Sequence, residues 1–259
     1  MLATASIGLW LISTFVFGSI VGTHDGDPAS HGLYGLIGTS LAIVVSWFFI
    51  RSEKATFFDY GLRWRMLSLR NFLVGNLLGF LLLGSMVVIL LLFTYVKYEW
   101  TNHSWPRQVW LSYLSMIPLV MMEEIVFRGY AFVKLYRRIG FLYAQLFIAL
   151  LFVLYHVVQG WEWQIALAGP GVWSLVFGWI TWRTKGIAAA IGLHLALNAG
   201  QKLFGMRNEV EGSLFRLFGQ TPPEITESAI SQTEWVGFIC QLSVGLIFLF
   251  LTISDSKRS

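Results

Sequence analysis

The chain has 259 residues, 56% of them hydrophobic and only 12% charged, with a mean hydropathy of +0.66. Soluble domains carry about twice that share of charge, so most of this chain belongs where charges are unwelcome. The net charge of +4 does not point to nucleic acid, because the basic residues form no face or stripe and sit between the apolar runs.

Those runs predict about eight transmembrane helices, since a bilayer about 30 Å thick needs about 20 apolar residues at about 1.5 Å each. The first, Leu2–Val21, lacks a basic leader and a cleavage site and reads as a retained helix. Leu33–Ile50, Asn71–Val96, Trp110–Phe132 and Phe141–Val158 follow. Ile165–Trp182 is broken near its start by Gly169, Pro170 and Gly171, and Ile187–Phe204 and Trp235–Ile253 complete the set. The longest polar stretch, Met206 to Glu234, reads as an exterior loop with a short interfacial helix at Leu214–Phe218. Trp and Tyr gather at span ends, as at Tyr95, Trp100, Trp161 and Trp182, in the manner of an interfacial belt. Cys240, the single cysteine, reads as a buried apolar residue. No linker divides the chain. The expected fold is therefore an all-α membrane protein, one domain over residues 1–259, with about eight helices bundled around a buried polar site.

The loops set the orientation. With the N-terminus in the cytoplasm, the cytoplasmic loops hold Arg51, Lys54, Arg63, Arg65 and Arg70, then Lys134, Arg137 and Arg138, then Arg183 and Lys185. The tail adds Lys257 and Arg258. The exterior loops hold fewer, so a multi-pass cell-membrane protein with both termini cytoplasmic is expected.

A charge inside a span marks a functional site by default. The fourth span holds Glu123, Glu124 and Arg128 in Met-Met-Glu-Glu-Ile-Val-Phe-Arg-Gly-Tyr. Glu124 and Arg128 are four apart and share a face, so they can pair; Glu123 points about 100° away and is left to act as a base. The fifth span holds His156, one turn after Phe152, whose ring can restrict the imidazole. The seventh holds His194 and Asn198 on one face, while Ala188, Gly192, Ala196 and Gly200 form a small-residue stripe on another. That stripe suits close helix packing and leaves His194 and Asn198 to face a cavity. Hydrolysis suits this group. A carboxylate and a histidine can deprotonate water, while a histidine and an amide can hold an oxyanion. Alternatively Glu123, His156 and His194 could bind Zn²⁺ and leave a position for water, so the residues admit a metal-free and a zinc mechanism alike. No His-Glu-x-x-His run is present.

Glu123-Glu124-x-x-x-Arg128, Phe152-x-x-x-His156 and His194-x-x-x-Asn198, in this order, resemble the three motifs of the CAAX-protease and bacteriocin-processing family (CPBP, or Abi). The resemblance covers roughly Pro118 to Gly200. It implies an eight-helix intramembrane endopeptidase acting on a membrane-anchored peptide or protein, prenylated or not. By motif position, Glu123 and His156 would activate water and His194 and Asn198 would stabilise the oxyanion, with Glu124, Arg128 and Phe152 in support. The alternative function is a non-catalytic membrane partner, immunity or scaffold protein that keeps the polar core. A proton-coupled transporter fits less well, because paired repeats are lacking.

Depth poses a difficulty. Glu123 lies about 20 Å in from the outer end of its span, whereas His156 lies near the outer end of the next. The expected repair is a fourth span that starts near Met116 or Pro118, with Trp105–Ser115 lying along the interface.

Overall fold

In the computed structural model, residues 2, 4–10, 12, 28–62, 66–101, 105–206, 212–219 and 226–257 are described. Long unbroken apolar runs have no way to satisfy their backbone in lipid except as helices, and helices they are: α1 (Pro28–Ser52), α2 (Met66–Phe93), α3 (Arg107–Arg128) and α4 (Tyr130–Ile139). Next come α5 (Phe141–Val158), α6 (Trp163–Thr184), α7 (Ala188–Leu203) and α8 (Thr226–Ser256). Among the described residues, six helical segments are long and apolar enough to cross a membrane, α3 and α4 counting as one. This is an all-α multi-pass membrane protein. The seventh expected span, α7, has 16 residues and is shorter than those six. The first, Leu2–Val21, lies for the most part outside the described residues, although 4–10 are helical.

Three expectations need correction. Leu214–Phe218 is not a helix: Phe215–Gly219 forms strand β2, paired antiparallel with β1 (Val96–Trp100) in register Val96↔Gly219 to Trp100↔Phe215. Glycines and Pro170 do not break the sixth span, which passes through Leu167–Gly171 as a single wide π turn. Such a turn accommodates a residue that has no N–H to donate. Cys240 is half-buried on α8 rather than buried.

Small residues decide which helices meet. A side chain at Gly192 would overlap the Phe72 carbonyl, and one at Gly79 would come within 2.7 Å of the Ala196 Cβ, so the stripe on α7 seats α2 along its length. Likewise Gly35 of α1 sits where a Cβ would be 2.8 Å from the Leu119 backbone nitrogen of α3. Thr39 Oγ1 donates to the Pro118 carbonyl in the same seam at 2.8 Å. Between α3 and α4 the chain turns at Gly129 (φ −80°, ψ −126°), where a Cβ would strike the Ile125 carbonyl.

The loops that carry most of the basic residues gather at one end of the bundle. Arg137 of α4 donates to the Asp59 carbonyl, the Ile187 amide donates to Gly61, and Arg183 pairs with Asp255 of α8 at 3.2 Å. Here Glu53 accepts from the Tyr60 hydroxyl (2.5 Å), the Tyr130 hydroxyl (2.6 Å) and Lys134 Nζ (2.8 Å). Burial alone would push this carboxyl up, but the bonds from Lys134, Tyr130 and Tyr60 outweigh it and bring it down from 4.5 to about 2. A depressed carboxyl contributes its stability in full above the unfolded value and loses it as pH falls toward 2. The expected result is that Glu53→Gln melts below wild type at pH 7 and that this gap closes between about pH 5 and pH 2. Thermal unfolding in detergent across that range checks it, and a gap independent of pH contradicts it.

Candidate active site

Helices α3 and α7 bring Glu123, Glu124, Arg128 and His194 together, with Phe152 of α5 and Ser174 and Phe177 of α6 around them. Glu124 and Arg128 are both fully buried and joined one turn apart, Arg128 NH1 donating to Glu124 Oε1 at 3.3 Å. Arg128 NH2 donates to Ser174 Oγ of α6 at 2.7 Å, and its guanidinium lies 4.3 Å from the Phe152 ring centre and 5.2 Å from that of Phe177. The charge is thus held by a carboxylate, a hydroxyl and two π faces.

From the opposite side, His194 Nδ1 reaches the same Glu124 oxygen at 2.8 Å. Phe177 stacks on its ring at 4.4 Å and 19°. Because a carboxylate accepts, Nδ1 carries the hydrogen of this bond. The other ring nitrogen, Nε2, lies 3.8 Å from Glu123 Oε2. The two adjacent glutamates are therefore placed differently: Glu124 sits between Arg128 and His194 with no exposure, whereas Glu123 keeps 15% of its side chain exposed. Asn198 follows one turn after His194 on α7 and is half-buried.

His156 comes from the last turn of α5. Its Nδ1 lies 2.8 Å from the Phe152 carbonyl; a carbonyl accepts only, so Nδ1 is the donor, and in the neutral ring Nε2 keeps its lone pair. Phe152 at 4.6 Å and Trp161 at 5.4 Å flank the ring edge-to-face. Phe152 is also 6.3 Å from the His194 ring, and Glu123, His194 and Arg128 all act electrostatically on His156. The repair expected for the depth difficulty does not hold. Helix α3 does not start at Met116 but runs unbroken from Arg107, with Pro118 inside it. Together α3 and α4 hold 33 residues, divided by the turn at Gly129.

Residues 103–200 match the Rce1-like family model, described as type II CAAX prenyl endopeptidase. The resemblance carried by the three motifs holds over this segment. No curated protein and no solved structure matches the chain.

The matched segment contains every residue named for the site so far. Sequence reasoning missed Ser174 and Phe177, which lie on α6 where nothing in the local pattern distinguishes them from packing residues. Among the described residues, no group of three His, Cys, Asp or Glu side chains converges as a metal site requires. The alternative Zn²⁺ set of Glu123, His156 and His194 is not among such groups.

Proposed function

We propose that the chain is an intramembrane endopeptidase that hydrolyses a peptide bond in a prenylated, membrane-associated peptide or protein. The observation that carries this reading is the unequal placement of the two glutamates. A scaffold would bury both in ion pairs. Here Glu124 is fully buried and its Oε1 is committed to Arg128 and His194, while Glu123 keeps part of its side chain exposed; the Oε2 of each lacks a hydrogen-bond partner. A carboxylate so placed can take a proton from water, and His156 Nε2 offers a second base on the neighbouring helix.

In this reading the attacking water sits between Glu123 and His156. As its oxygen adds to the scissile carbonyl, the proton passes to Glu123 and the carbonyl becomes an oxyanion. His194 Nε2 and the Asn198 amide would donate to that oxyanion; since Nδ1 is engaged by Glu124, donation from Nε2 requires both ring nitrogens to carry hydrogen. Proton return to the departing amine then breaks the C–N bond. Arg128, Ser174 and Phe177 act through Glu124 and His194 by holding them in place. The family match supports the reaction type and the prenylated substrate class.

The test is cleavage by the purified wild type in detergent, given prenylated and unprenylated membrane-anchored peptides, with products read by mass spectrometry. A single new C-terminus, formed faster from the prenylated peptides, is expected. Equal rates for both would remove prenylation from the reading, and tight binding of intact peptide without product would replace the peptidase by a binding protein.

A further inference from the structure

A polar side chain outside the matched segment is tied to the helix that carries His194 and Asn198. From Phe72 to Gly84, helix α2 is apolar apart from Asn76, which is half-buried. Lipid offers such an amide no partner, so it must find one on a neighbouring helix. Asn76 Nδ2 donates to the Gly192 carbonyl of α7 at 3.3 Å. That carbonyl also closes the turn of α7 from Gly192 to Ala196, and His194 sits in the middle of this turn.

Helices α2 and α7 run side by side in the same direction, Gly75 against Ala189, Gly79 against Leu193 and Ala196, and Leu83 against Gly200. Their small residues recur every four positions, Gly75 and Gly79 on α2 and Ala188, Gly192, Ala196 and Gly200 on α7. A slip of one such step, about 6 Å, would again set small residues against a close backbone. The seam therefore brings the helices together without fixing where along each other they stop. A single polar residue in an apolar seam can fix register, and here that residue is Asn76. From α3, Glu124 holds the His194 ring through Nδ1; Asn76 holds the backbone turn from which that ring projects.

We propose that Asn76 is a positioning residue for His194: its amide fixes the height of α7 on α2, and so the place of His194 and Asn198 relative to Glu123. The proposal rests on the peptidase reading above. A displacement of about 1 Å at a reacting group costs on the order of 100-fold in rate, so a small drift of this turn is felt at the chemistry.

The test compares full-length wild type with Asn76→Leu, which keeps the bulk and loses the donor, and with Ser85→Ala as a control. Ser85 is exposed on the same helix, and its hydroxyl donates within α2, to the Leu82 carbonyl. The expected result for Asn76→Leu is a kcat lower by about 10- to 100-fold with KM within about twofold, while Ser85→Ala behaves as wild type. A second readout needs no turnover: the ring signals of isotope-labelled His194, assigned through His194→Gln, should shift in Asn76→Leu. An unchanged kcat overturns the proposal, as does a kcat that falls while the His194 signals stay put. If Asn76→Leu does not fold, Asn76→Ala is judged by the same two readouts; failure of both to fold overturns the proposal in favour of a purely structural bond. If wild type cleaves no peptide, the peptidase reading fails separately, and the His194 signals alone decide: moved supports the pin, unmoved overturns it.

Discussion

Arg128→Met is expected to destabilise the folded protein by about 3–5 kcal/mol, because it strips the partner from a buried carboxylate. Arg128 has no exposure and contacts Glu124, Ser174 and two aromatic faces at once. Methionine can fill much of the volume, so the loss comes mainly from charge and hydrogen bonds rather than from a cavity. Lysine should recover only part of it, since a point charge cannot donate to Glu124 and Ser174 in a planar fork while stacking on Phe152. The double variant Glu124→Leu with Arg128→Met should recover stability relative to Arg128→Met alone, because no charge is then left without a partner. Unfolding in detergent, followed as a double-mutant cycle, measures the coupling; additive effects would contradict the paired arrangement.

His156→Gln is the second large effect, expected in the rate rather than in stability. Glutamine keeps an N–H that can serve the Phe152 carbonyl now bonded by Nδ1, but it supplies no base where Nε2 stands. Loss of a positioned base lowers kcat by about 10²–10⁴, and a half-exposed ring flanked by Phe152 and Trp161 leaves little core packing to lose. Single-turnover cleavage of a saturating peptide measures the chemical step directly. A kcat within threefold of wild type would take His156 out of the site.

How far the sequence disclosed this arrangement follows from the range of each interaction. Glu124 and Arg128 are one turn apart, and their pairing is a property of helix spacing alone. The stripe of Ala188, Gly192, Ala196 and Gly200 is local too, and it packs on α2 through Gly79 and Leu83. By contrast, the second partner of Glu124 is His194, seventy residues away, and no spacing rule pairs them. The ribbon was misread for the same reason: Phe215–Gly219 becomes a strand because Val96–Trp100 lies alongside it, and a strand partner over a hundred residues away leaves no mark on local periodicity.

The most direct measurement is the rate at which Glu123→Gln cleaves a prenylated, membrane-anchored peptide beside wild type, in the same detergent and with both melting temperatures recorded. The amide keeps the size of the side chain and removes its ability to take a proton, so the account predicts a rate lower by about 10²–10⁴ at an unchanged melting temperature. Equal rates for the two proteins would contradict it, since water activation would then not depend on the carboxylate that α3 leaves partly exposed.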